Sequence, residues 1–249
     1  MGRYFSILLV AVVLIFASCE DKEKSNNSNV DSPSNPTLTS KDTIKEKEKK
    51  GSAPAGKEDQ KTPYREGPML VQEELIPFLT KYGEENPQTR VRIKTRFGDI
   101  DVVLYRDTPL HRANFIFLAK QGYFDDTFFH RVAKDFVIQG GNSDNISTSK
   151  KRTNIGSFLI PSEFEAGHKH TRGAFSAAKY AEQNVSKASS PYEFFIVQSD
   201  RGAHHLDNDH TVFGRVVSGM DVVDEIAQQE VGEGEWPLLN IYIDVEVLE

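Results

Sequence analysis

Val91, Ile93, Thr95 and Phe97 alternate with Arg92, Lys94 and Arg96, and a second alternating run covers Ile100 to Tyr105. Period-two alternation sends successive side chains to opposite faces, so this segment predicts a β-hairpin punctuated by Gly98-Asp99. The spacing then becomes helical. Thr108-Pro109 offers an N-cap and a first helical residue, and Phe115, Leu118 and Ala119 mark the apolar stripe of a helix ending near Gly122. Phe128-Phe129, Phe136 to Gln139, Phe158 to Ile160 and Glu193 to Val197 read as short strands, and Asn142 to Asn154 as a polar loop. In the second of these strands, alternation puts Phe136 and Ile138 on one face and Val137 and Gln139 on the other. Met220 to Gln228 predicts a second helix with Val222, Val223 and Ile226 inward, and Ile241 to Leu248 a closing strand. Periodicity therefore predicts a mainly β domain with two helices.

Upstream of the hairpin, Val71, Leu75, Phe78, Leu79 and Tyr82 recur at near-helical spacing. Pro77 is expected to break or kink that helix, because it disfavours α geometry at Ile76. Residues 64–89 thus read as a short helical element appended to a domain at 90–249. Residues 19–63 are different in kind: Ser, Asn, Pro, Thr, Lys and Glu dominate, and aromatic residues are absent. Such a segment buries too little apolar area to offset its ordering entropy, so it reads as a disordered tether.

Residues 1–18 carry Arg3 and then the apolar run Ile7 to Phe16, too short to span a bilayer and suited to a secretory signal. The sequence Leu14-Ile15-Phe16-Ala17-Ser18-Cys19 resembles a bacterial lipobox, which implies lipidation of Cys19 and a membrane-tethered protein of the cell envelope. Cys19 is the only cysteine, and the polar tether starts directly after it. An ordinary cleavable signal and an uncleaved anchor are the alternatives. Whether the domain faces the periplasm or the cell surface stays open. The net charge is −7 and the tether is balanced, so the folded part is acidic; this argues against nucleic-acid binding through a basic patch.

The densest chemistry lies in Phe128-Phe129-His130-Arg131-Val132-Ala133-Lys134-Asp135-Phe136-Val137-Ile138-Gln139-Gly140-Gly141. This stretch offers a guanidinium, an imidazole, an aromatic ring and a primary amide, but no carboxylate pair or activated nucleophile. A guanidinium stays protonated, so Arg131 can only donate hydrogen bonds and positive charge. Rotation about an X-Pro imide bond needs no more than that. Resonance sets its barrier at roughly 18–20 kcal/mol. Twisting localises the nitrogen lone pair, and a guanidinium beside it stabilises the twisted state over the planar one.

The segment resembles the cyclophilin family of peptidyl-prolyl cis/trans isomerases, whose hallmark is a near-identical F-H-R-V-x-x-x-F-x-I-Q-G-G. The resemblance covers about Arg90 to Glu249. It implies a closed eight-stranded antiparallel barrel capped by two helices, acting as a monomer without metal or cofactor on proline-containing polypeptides. By the same resemblance Arg131 is catalytic, and Phe136, Val137, Phe195, Leu206 and His210 hold the proline ring. Gln139, Ala178 and Lys179 would bind the flanking peptide backbone, with His130, Glu193 and His205 completing the substrate site. The chain departs from the family at Lys179, at Glu193 where Gln is usual, and at Pro191-Tyr192 where small residues are usual. His205 stands where cyclosporin-sensitive members carry Trp, which implies weak cyclosporin binding.

Two further readings accompany the isomerase. One is a tethered binding or chaperone module that holds proline-containing segments without turnover. The other is a metal-binding lipoprotein built on His204-His205-Leu206-Asp207-Asn208-Asp209-His210, whose Asp-Asn-Asp core also reads as turn chemistry.

Overall fold

The computed structural model describes residues 64–180 and 186–249. The signal-like segment, Cys19 and the tether lie outside the described residues. Among the described residues, nine strands form one antiparallel sheet that curls into a nearly closed barrel: β1 (Arg90–Thr95), β2 (Gly98–Leu104), β3 (Thr127–Phe129), β4 (Arg131–Ala133), β5 (Val137–Gly140), β6 (Ala174–Ala177), β7 (Phe194–Val197), β8 (Val212–Ser218) and β9 (Ile241–Leu248). Their order is β3-β9-β1-β2-β8-β6-β7-β5-β4. The two ends of the sheet are consecutive strands, joined through His130 alone.

Among the described residues, four α-helices accompany the barrel: α1 (Leu75–Glu85), α2 (Pro109–Lys120), α3 (Ile146–Ile155) and α4 (Met220–Ala227). The architecture is the mainly β barrel expected, with one more strand and, beside the expected α1, α2 and α4, one more helix. The extra strand arises because Phe128-Phe129 and Arg131-Val132 serve different neighbours, β3 pairing with β9 and β4 with β5.

Aromatic side chains fill the barrel. Phe115 from α2 meets Phe124, Phe175 and Phe194 at ring separations of 4.7, 5.2 and 5.6 Å, and Phe213 closes the group. Each buried ring removes enough apolar surface to contribute on the order of 1.5–3 kcal/mol. Val222, Val223 and Ile226 of α4 are buried, as the helical spacing predicts.

Local details correct the sequence reading in five places. The hairpin turn falls at Arg96-Phe97, since Thr95 pairs with Gly98, and Thr95 Oγ1 bonds Gly98 O and the Phe97 N–H across it. Thr108 occupies the N-cap position of α2 without a capping bond. The Glu163 carboxylate does that work, accepting from the Leu110 and His111 N–H groups at 3.0 Å each. Pro77 sits inside the first turn of α1, where an N–H has no intrahelical partner anyway, so the helix continues to Glu85. Residues 146–155, expected as loop, form α3. Phe158 to Ile160 contributes one bridge, Ile160 to Ser189, rather than a strand.

The 64–89 element is integral to the core. Leu70, Leu75 and Leu79 are buried in it, and Phe78 and Tyr82 meet Phe117 of α2 edge to face at 5.3 Å.

Candidate active site

Strand register lines up the functional side chains. Arg131 on β4 pairs with Gln139 on β5, and Gln139 pairs with Phe195 on β7. Directly opposed residues share a face, so a guanidinium, an amide and an aromatic ring form one row across three strands. Ala133, Val137 and Val197 form the row beside it. Along β7, Phe194 and Ile196 enter the barrel core while Phe195 and Val197 join a second apolar cluster on the outer face. Phe136 belongs to this outer cluster too, whereas Ile138 lies in the barrel. The expected shared face fails because Phe136 precedes β5, in a turn where Asp135 takes φ +59° and the Phe136 N–H bonds Ala133 O.

The result is a groove of about 260 Å³ lined by Arg131, Phe136, Val137, Gln139, Ala178, Lys179, Phe195, Leu206 and His210. Nine of the sequence-derived site residues therefore converge on one cavity. His130, Glu193 and His205 stand outside it. Glu193 turns away from the groove: its carboxylate accepts from Gln139 Nε2 at 3.0 Å and Arg152 at 3.2 Å, and lies 3.6 Å from His130 Nε2. Burial opposes its ionisation, yet the contacts with His130 and Arg152 outweigh burial and hold its pKa below the usual carboxylate value. His205 stacks on the Phe136 ring at 5.3 Å and 25°.

Beneath the groove, the buried His170 ring lies parallel to Phe195 at 5.8 Å and 13°. Its Nδ1 is 2.9 Å from Asp207 and its Nε2 is 3.0 Å from Ser176. Although this resembles a hydrolytic triad, Ser176 is wholly buried and its hydroxyl lies 2.9 Å from Thr211 O. It braces Phe195 instead of meeting solvent. Asp207 also takes the His204 ring, and Asp209 takes Lys179 at 2.7 Å. Among the described residues, no three His, Cys, Asp or Glu side chains are grouped to hold a metal ion. Burial, reinforced by the charge of Lys179, pulls the His210 pKa down to about 4, so the ring beside the apolar socket is neutral near pH 7.

The model of the cyclophilin type peptidyl-prolyl cis-trans isomerase/CLD family matches residues 90–247. The chain belongs to this family. Among similar cyclophilin-family proteins are a peptidyl-prolyl cis-trans isomerase-like 2 of Rhizopus delemar and an isomerase of Arabidopsis thaliana. The first is 39% identical over 65% of this chain and 29% of its own length. The second is 34% identical over 62% of this chain and 92% of its own length. A putative bifunctional phosphatase/isomerase of Streptococcus pyogenes is 33% identical over 72% of this chain and 43% of that protein. The chain thus spans less than half of some of the relatives it matches. A cyclophilin-type isomerase of Cryptosporidium parvum shares the fold with a TM-score of 0.55 at 24% identity, covering 65% of this chain and 98% of the other.

In this cyclophilin domain, two residues that shape the site escape motif reading. Arg152, on α3, braces Glu193 from behind, and Glu235 bonds Arg131 Nε at 2.7 Å. Neither belongs to a local pattern around the residue it touches. The Ala178 N–H donates to Glu193 O, and its carbonyl accepts from Ser190 N–H while keeping a second lone pair.

Proposed function

We propose that the domain accelerates cis/trans rotation of X-Pro bonds in exported polypeptides. One observation carries this reading, the row of Arg131, Gln139 and Phe195 beside an apolar socket. Phe136, Val137, Phe195 and Leu206 offer a pocket sized for a proline ring, and Arg131 stands at its edge with its guanidinium carbon 5.7 Å from the Phe136 ring centre. As the imide twists, the lone pair localises on nitrogen and the Arg131 donors stabilise it, while Gln139 holds the adjoining peptide backbone. The groove needs no nucleophile, because no covalent bond breaks. The Cryptosporidium parvum relative was crystallised in the presence of the dipeptide Ala-Pro, which supports a proline-containing ligand here.

The sequence motif at Cys19 supports a lipid-anchored protein of the cell envelope. Uncatalysed isomerisation takes tens to hundreds of seconds, so the benefit to clients folding outside the cytoplasm would be kinetic.

NMR exchange spectroscopy on an Ala-Pro peptide, with the purified chain and its Arg131→Ala variant, tests the reading. The wild-type chain should accelerate exchange and the variant should lose about 10²–10³-fold of that rate. Peptide binding without acceleration would defeat catalysis and leave the non-catalytic proline-binding module as the function.

A further inference from the structure

The loop after α4 reaches across to the arginine that the proposed reaction depends on. Glu235 Oε2 accepts from Arg131 Nε at 2.7 Å. A guanidinium carries five N–H groups, one of them on Nε. Among the described residues, the four on the terminal nitrogens carry no hydrogen bond. The carboxylate therefore takes the inner edge of the planar group and leaves its outer edge to the groove that Arg131 lines.

The loop is built to hold that carboxylate in place. Gly234 and Glu235 both take left-handed φ values, +67° and +62°. For a non-glycine residue this conformation persists only where its surroundings enforce it. Here they do. The Gly232 N–H bonds Trp236 O at 2.8 Å, and Val231 bridges Pro237. Trp236 packs edge to face on Phe128 at 5.4 Å and lies 5.9 Å from the His130 ring. Phe128 and His130 lead directly into Arg131, so the loop grips the same strand seam that presents the guanidinium. Both partners are more than a third exposed, so this ion pair adds little to stability. Its effect is on direction.

We infer that Glu235 is a positioning residue for Arg131: it fixes the guanidinium by its Nε edge so that the terminal N–H groups meet the twisting imide. This rests on the isomerase reading of the same groove. A free arginine would sample several rotamers, and small misplacement of a group that acts in the transition state is costly.

The test compares Glu235→Ala, Glu235→Gln and Arg131→Ala with wild type in kcat and KM for an Ala-Pro peptide, in thermal midpoint, and in the Arg131 Nε–H resonance of ¹⁵N-labelled protein. Glu235→Ala should lower kcat about tenfold with KM changed by less than about twofold, and its Nε–H signal should vanish into solvent exchange. The thermal midpoint should not move. Glu235→Gln keeps an acceptor without charge and should restore both the signal and a kcat near or above wild type. A Glu235→Ala enzyme with wild-type kcat would overturn the positioning role while leaving Arg131 catalysis standing. Full activity in Arg131→Ala would overturn both.

Discussion

Gln139 Nε2 and Glu193 Oε2 lie 3.0 Å apart, and the chemistry of the pair fixes which way the amide faces. An ionised carboxylate only accepts hydrogen bonds, so the Gln139 nitrogen has to point at it. The Gln139 carbonyl oxygen is then left for the groove, as an acceptor for a peptide N–H. With a glutamine at position 193, either orientation would be satisfied.

Replacing Glu193 by Gln should therefore release the amide. We expect KM for an Ala-Pro peptide to rise about two- to tenfold, the worth of one hydrogen bond, with kcat little changed. Peptide titration by NMR with parallel exchange rates checks this; an unchanged KM would show that Gln139 is oriented by something else.

Removing Arg152 is a different perturbation, because it strips a partner from a carboxylate that stays buried. Arg152→Met should destabilise the fold by about 3 kcal/mol in urea titration. The double variant Arg152→Met/Glu193→Gln should recover part of that loss, since no buried charge is left behind. A double variant no more stable than Arg152→Met would contradict the pairing.

Acid should weaken the fold through His210. Burial comes first and Lys179 second in depressing its pKa from the usual 6.5 to about 4, with Asp209 acting in the opposite sense. Between those values the unfolded chain binds a proton that the folded chain refuses, so stability rises with pH across that window and is fully present above it. Further acidification reaches Asp207. Burial opposes its ionisation, but bonds from His170 and His204 hold its pKa at about 2, so its contribution is lost as pH falls from about 4 toward that value. The urea midpoint should fall from pH 7 to 4.5, and His210→Asn should flatten that slope.

Cyclosporin should inhibit weakly. His205 stacks flat on Phe136, outside the groove lining, and the only tryptophan, Trp236, is committed to Phe128 and His130. Titration of the active chain with cyclosporin checks this, and tight inhibition would contradict it.

These tests separate what the sequence carries from what it hides. Alternation in β1, β2 and β9 was legible because each strand has one face in the core and one toward solvent. The groove was legible because strand pairing converts Arg131, Gln139 and Phe195, distant in sequence, into neighbours by register. Helix α3 was not. Its inward face is held by polar groups, with the Lys151 ammonium donating to the carbonyls of Gly122, Tyr123 and Asp125 at 2.8, 3.3 and 2.7 Å, so no apolar stripe announces it. The sequence shows the place of Glu193 in its strand but not Arg152, whose guanidinium meets its carboxylate at 3.2 Å. Glu235 lies 104 residues from Arg131, and only the folded loop brings them together.

The seam at His130 has a consequence for the company this protein would keep. Because the sheet begins and ends in β3 and β4, its terminal strands are three residues each. Each end offers a foreign segment only three residues of ladder on which to add a strand. Were the clients proposed above to arrive incompletely folded, they would meet sheet ends too short to template their aggregation.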